Sequence, residues 1–168
     1  MAANRWLLDT NVLIAVVDAD RSGHTAAVKL FDDGRPLALT PQILREFMVV
    51  ASRPLEVNGL GLEPGQAAAN AAAFASNAVT LEEDPRVALR LRQLVNQYRI
   101  TGKQIHDANL VATALVHDVH RLVTANPRHF ERFGALIEVI PLKDSQGGAS
   151  LAVDANATLN LHINDPKG

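Results

Sequence analysis

Three carboxylates and one amide, Asp9, Glu46, Asp107 and Asn126, stand out from their neighbours and suit chemistry on a phosphate. Asp9 ends the apolar run Trp6-Leu7-Leu8 and is followed by Thr10-Asn11. Pure packing does not ask for an acid and two polar residues there. Capping a helix that starts near Asn11 is an equal alternative for Asp9. Glu46 lies among Ile43, Leu44, Phe47, Met48, Val49 and Val50, a helix apolar nearly all round, and that pattern predicts burial. A buried carboxylate is costly unless it is paired, neutral or bound to metal. The competing role for Glu46 is an ion pair with Arg45 or Arg53. Asp107 opens a helix at Ile105-His106-Asp107-Ala108, where an acid also complements the helix dipole. The apolar face that follows sets Asp107 at the edge of the core. Asn126 follows Leu122-Val123-Thr124-Ala125 and precedes Pro127, so it serves as an N-cap, as a site residue, or as both.

Carboxylates gathered within a few Å repel one another and partly protonate unless a cation joins them. Mg²⁺ accepts one or two carboxylates and keeps several waters. A retained water becomes a nucleophile while the ion stabilises charge on a phosphate in transfer. On this reading Asp9, Glu46 and Asp107 are the metal ligands, with Mg²⁺ or Mn²⁺ as the cofactor, and Asn126 stands at the fourth corner.

The elements that must position these groups are legible from punctuation. Thr40-Pro41, Glu63-Pro64, Asp84-Pro85 and Asn126-Pro127 each place proline where a first helical residue needs no N–H. Short apolar runs lie at Trp6–Leu8, Leu37–Leu39, Ala78–Leu81, Leu122–Thr124 and Ile137–Ile140, with segments of helical period between them. Gly23 to Asp33 reads as a further helix ended by Gly34, and Ala67 to Ala73 as closely packed helix. Strands alternating with helices predict an α/β fold with a mostly parallel sheet of about five strands, covered on both faces. Ligands in such sheets bind beyond the carboxyl ends of the strands. Arg53 to Gly61 reads as a loop.

A chain of 168 residues suits one domain, taken as residues 1–142. From 143 to 168 the composition shifts to small polar residues, read either as a hairpin or as a disordered tail. With 48% hydrophobic residues, disorder is not the expectation for the whole chain. A net charge of −2 argues against a protein that coats nucleic acid, though not against an enzyme with an acidic, metal-neutralised site. The lack of cysteine excludes disulfides, thiolate zinc sites and Cys nucleophiles. The apolar run Val12 to Val17 is too short to span a membrane, and no signal peptide is expected. A cytoplasmic, membrane-free protein is the expectation.

Four segments, LLDTNVLI, TPQILREF, GKQIHDANLVATAL and LVTANPRHFERF, occur in that order. In combination they resemble the successive motifs of PIN-domain nucleases, and within them the VapC-type toxins of bacterial toxin–antitoxin modules. SRPLEVNGLGL is similar to a segment of one subgroup. The resemblance covers roughly residues 5 to 141. It implies a three-layer α/β/α fold, a divalent-metal site and cleavage of RNA phosphodiester bonds. By position, Asp9, Glu46 and Asp107 match the family's three recurrent acids, and Asn11 and Thr124 match polar residues beside the site. Many relatives carry a fourth acid in a T-x-D or an N-x-x-D-F arrangement, at positions held here by Asn126 and His129. Asn126, at the strand end, is taken as the nearer replacement. The resemblance also implies a homodimer and a small antitoxin partner that presents an arginine to the acids.

Two other classes compete. Asp9-Thr10-Asn11-Val12 is similar to the opening signature of haloacid dehalogenase-like phosphatases, but Asn11 stands where their second acid works. A binding module without turnover is the other class, suggested by the missing fourth acid. His106, His117 and His120 invite a zinc site, yet no third ligand falls at a sensible spacing, and exposed histidines are the preferred reading. Arg45, Arg53, Arg86, Arg99 and Lys103 are candidates for phosphate contacts against a background of ordinary surface charge.

Overall fold

The computed structural model of the protein describes residues 4–144, so the tail expected from residue 143 lies, beyond Asp144, outside the described residues. Five short apolar runs form the strands β1 (Trp6–Leu8), β2 (Leu37–Leu39), β3 (Val79–Thr80), β4 (Arg121–Thr124) and β5 (Glu138–Pro141). They make one sheet in the order β3-β2-β1-β4-β5, and every neighbouring pair is parallel. The sheet is thus wholly parallel, as expected of strands joined through helices. Six helices cover it: α1 (Thr10–Val17), α2 (His24–Asp32), α3 (Pro41–Ser52), α4 (Pro64–Ser76), α5 (Pro85–Tyr98) and α6 (Gln104–Val116). The result is a three-layer α/β/α architecture.

The chain runs outward from β1 through β2 to β3, then returns to the other side of β1 for β4 and β5. Strand order therefore reverses between β1 and β4, the place where such sheets open a crevice. Leu8 pairs with Val123 there, and the Asp9 N–H donates to the Val123 carbonyl at 2.9 Å. The end of one strand is locked against the end of the other.

Proline and caps start three helices as anticipated. Thr40 Oγ1 accepts the Ile43 N–H at 3.2 Å, Asp84 accepts the Arg86 N–H at 2.8 Å, and the Glu63 N–H donates to Gln66 Oε1 at 3.2 Å. Asn126-Pro127 departs from the expectation. It opens a single 3-10 turn, Pro127–His129, followed by another at Glu131–Phe133, and the Asn126 side chain makes no capping bond. Phe130 and Phe133 are both buried at a spacing of three, the period of a 3-10 helix, so anchoring them holds the segment in tight turns.

α3 is also less buried than its composition suggests. Gln42, Ile43, Phe47 and Ala51 face inward, while Arg45 is exposed and Val49 is 55% exposed. One stripe packs on α1 and α4, with Phe47 edge-on to Phe74 at 5.2 Å, and the opposite face meets solvent. The 53–61 loop folds back on the end of α3. Leu60 and Leu62 donate to the carbonyls of Val50 and Ala51, and Gly61 to that of Arg53, at 2.9 to 3.1 Å. A Cβ at Gly59 would stand 1.8 Å from the Arg53 carbonyl oxygen. Gly59→Ala is therefore expected to cost about 1–3 kcal/mol as overpacking, read as a lower urea midpoint. An unchanged midpoint would show that this loop does not pack on α3.

The far end of the described fold is tied down as well. Asp144 accepts the N–H groups of Gly23 and Ala26 at 2.9 Å, capping α2 from a distant part of the chain.

Candidate active site

Asp9 caps α1 from the carboxyl end of β1. Its Oδ1 accepts the Thr10 N–H at 2.7 Å. Its Oδ2 accepts the Thr124 hydroxyl at 2.7 Å and the Asn11 amide at 2.8 Å. Asn11 also reaches Thr124 Oγ1 at 3.2 Å and accepts the Ala125 N–H at 2.9 Å. The Asn126 N–H completes the knot by donating to Thr124 Oγ1 at 3.0 Å. Asn11 and Thr124 thus hold the Asp9 carboxylate in place.

Glu46 has no arginine partner within ion-pairing distance among the described residues, which removes the Arg45 and Arg53 alternatives. Neutral groups hold it instead. Thr10 Oγ1 donates to Oε2 at 2.9 Å, and Gln42 Nε2 donates to Oε1 at 2.7 Å. Thr10 therefore links two acids, through its backbone to Asp9 and through its hydroxyl to Glu46. Gln42 is buried and spans to α6, donating to the His106 carbonyl at 3.2 Å and accepting the Asn109 amide at 2.8 Å. Sequence reasoning missed Gln42 and Thr10. The available signal was Gln42 one turn before Glu46 on the same helix face.

Asp107 lies in the first turn of α6 and accepts no hydrogen bond among the described residues. The His129 imidazole lies beside it, its Nδ1 3.7 Å from Oδ2. Asn126 sits beside the strand end, but its side chain bonds to nothing among the described residues. His129 is thus the group set against a carboxylate. The three histidines of the zinc reading do not meet. His117 Nε2 contacts the Glu82 carbonyl at 2.8 Å, and His120 Nε2 contacts Asp118 at 2.9 Å.

The acids feel one another. Burial pushes the Asp9 carboxyl above its ordinary value; the bonds from Thr124 and Thr10 pull the other way, and the charges of Asp107 and Glu46 add to the rise. Burial also raises Asp107, against His129, His106 and Arg132 and with Glu46. An acid raised on folding holds its proton more tightly in the native state. Its contribution to stability is then complete below the unfolded value near 3.8 and is lost as pH climbs through the raised native value. Metal-free wild-type protein is expected to gain melting temperature, relative to Asp9→Asn protein, as pH is lowered through the raised native value toward 3.8. Parallel curves for the two proteins would show that Asp9 is not raised.

A family model for the PIN domain matches residues 6–136. The chain belongs to the PIN-domain family. Solved structures with the same fold include the DNA-bound VapBC of Salmonella typhimurium, at 22% identity and TM-score 0.59, with 82% of this chain and 98% of that one covered. A toxin–antitoxin complex from Klebsiella pneumoniae matches at 21% identity and TM-score 0.59, covering 83% and 99%. VapBC2 of Rickettsia felis, bound to a promoter fragment, matches at 16% and 0.57, covering 82% and 98%. No curated protein matches the sequence. In this PIN domain Asp9, Glu46 and Asp107 fall at the end of β1, on α3 and at the start of α6. No helix among the described residues is long and apolar enough to cross a membrane.

Proposed function

We propose that this PIN-domain protein is an endoribonuclease that uses Mg²⁺ or Mn²⁺ to hydrolyse RNA phosphodiester bonds, and that it is the toxin of a toxin–antitoxin pair. One observation carries the reading. Three carboxylates gather at the crevice of a parallel sheet, and burial, with the charges of the other acids added to it, raises the proton affinity of Asp9 and Asp107. No Lys or Arg pairs with any of the three among the described residues. A divalent cation is the partner that this oxygen-only donor set fits. Among the described residues no three His, Asp or Glu side chains stand close enough together to hold a metal ion as they are placed, but hydrated Mg²⁺ needs only one or two carboxylates.

Asp9, Glu46 and Asp107 are the residues that would hold the ion. When bound, it supplies positive charge against the phosphate and lowers the pKa of water beside it. The protein's own groups prepare that site. Asp9 is immobilised by its three donors, and Glu46 is aimed by Thr10 and Gln42. Asp107, without a hydrogen bond among the described residues, is free to turn toward a ligand. Asn126 offers a neutral amide oxygen at the crevice and His129 an imidazole beside Asp107, so the pocket carries three formal negative charges where many relatives carry four.

The three structural neighbours are toxin–antitoxin complexes, two of them bound to DNA. They support an antitoxin partner for this chain, and we further propose that this partner is small, that the chain is a homodimer and that its setting is cytoplasmic. The Asn126 and His129 substitutions favour one second reading, a module that binds RNA without turnover. Purified protein incubated with mixed cellular RNA, with and without Mg²⁺ or Mn²⁺, separates them. Cleavage that EDTA stops supports the ribonuclease. RNA bound but intact at saturating metal supports the binding module, and release of phosphate from a phosphomonoester with RNA untouched supports a phosphatase.

A further inference from the structure

Asp107 also forms part of the wall of a cleft of about 290 Å³ whose other lining residues are Lys103, Gln104, Arg128, His129 and Arg132. Lys103 precedes α6, while Arg128 and Arg132 come from the two 3-10 turns after β4. Two segments distant in sequence thus bring three full cations to one concavity.

None of the three has a carboxylate within ion-pairing distance among the described residues. Arg21, Arg35, Arg86 and Arg121 do, at 2.6 to 3.3 Å. Unpaired cations gathered this way, on a chain of net charge −2, repel one another and create a local field that attracts an anion.

The position of the cleft matters as much as its charge. A second cleft, about 390 Å³, is lined by Thr10, Gln42, Arg45, Glu46, Arg53 and His106 among others. His106 belongs to one cleft and its neighbour Asp107 to the other, so the first turn of α6 divides them. Glu46 and Asp107 stand at that divide, with a basic flank on either side.

We infer that Lys103, Arg128 and Arg132 bind a non-scissile phosphate of the RNA strand, next to the bond that is cleaved beside Asp107. The assignment rests on the ribonuclease reading above. A phosphodiester strand repeats one negative charge along its length, so one phosphate fills this cleft while its neighbour meets the acids. Arg128 and Arg132 suit phosphate because the guanidinium fork donates two parallel bonds.

The test uses the full chain with Lys103→Gln, Arg128→Gln and Arg132→Gln combined, and Arg132→Gln alone in case the triple variant folds poorly. A short fluorescein-labelled single-stranded RNA is titrated in EDTA, so that no cleavage intervenes, over a series of salt concentrations. The triple variant is expected to bind at least roughly tenfold more weakly, as removal of charged hydrogen bonds requires. The slope of log K against log salt should fall by about 0.7 when one phosphate is no longer neutralised. With metal restored, the loss should fall on KM more than on kcat. Unchanged binding and slope, with wild-type protein still cleaving RNA, overturns the cleft assignment alone. A loss confined to kcat places these cations on the scissile phosphate and also overturns it. If the variant instead loses a poly-glutamate peptide while RNA binding holds, the cleft is a peptide site and the proposal fails. Weakened RNA binding in a protein that cleaves nothing keeps the phosphate contact and removes the ribonuclease reading.

Discussion

Asp107→Asn protein is expected to lose at least roughly a hundredfold in RNA cleavage while remaining folded, since it removes charge from a carboxylate proposed to hold the ion against the phosphate. The substitution keeps the shape of the side chain and breaks no hydrogen bond, because Asp107 accepts none among the described residues. It also removes a half-buried charge that Glu46 pushes against. The metal-free variant should therefore melt higher than wild type near neutral pH. Asp9→Asn should lose cleavage to the same extent, with a different effect on stability. The Asp9 oxygens face three donors, from Thr10, Asn11 and Thr124, and an amide turns an N–H toward at least one of them. That mismatch costs about 1 kcal/mol and offsets the gain from removing the charge. Wild-type cleavage rates from folded Asp107→Asn protein would take Asp107 out of the site.

The second large effect is stabilisation by metal. An ion that binds only the native state adds about 2.7 kcal/mol at a hundred times its dissociation constant. For a domain of this size that amounts to roughly 5–10 °C in melting temperature. The shift should appear with Mg²⁺ or Mn²⁺ in wild type and disappear in Asp107→Asn. The same titration resolves the fourth corner. His129 stands 3.7 Å from Asp107, so His129→Asp is expected to move the midpoint to lower metal concentration. Asn126, whose side chain bonds to nothing among the described residues, should have the smaller effect when changed to Asp. A shift with Asn126→Asp alone would put the corner at the strand end, and no shift with either would mean that three acids complete the set.

How far the sequence reveals this site depends on which contacts are local. Asp9 and Thr124 are legible because an apolar strand ends at each, and parallel strands in register bring their ends together. Asp107 is legible as an acid opening an apolar helix. The bond from Gln42 to Glu46 has a one-turn spacing to read, but Thr10 reaches Glu46 across the packing of α1 on α3, and Gln42 reaches on to α6. Neither of these last two contacts has a sequence spacing to read. Val49 misleads, because an apolar residue on a helix is not thereby buried. Pro127 promises an α-helix, but the phenylalanines behind it prefer a shorter period. Among the basic residues, Arg86 pairs with Asp84 two positions away at 2.6 Å, leaving it little claim on phosphate. Arg128 and Arg132 carry no mark in the sequence, because only tertiary folding sets them against Lys103.

A crystal of the protein grown or soaked with Mn²⁺ and measured for anomalous scattering tests the metal centre itself. The expected result is a peak in the crevice between β1 and β4, with carboxylate oxygens of Asp9 and Asp107 around it and Glu46 on the ion or on its waters. A peak elsewhere on the surface, or none at millimolar Mn²⁺ in a protein that cleaves RNA under the same conditions, would contradict it.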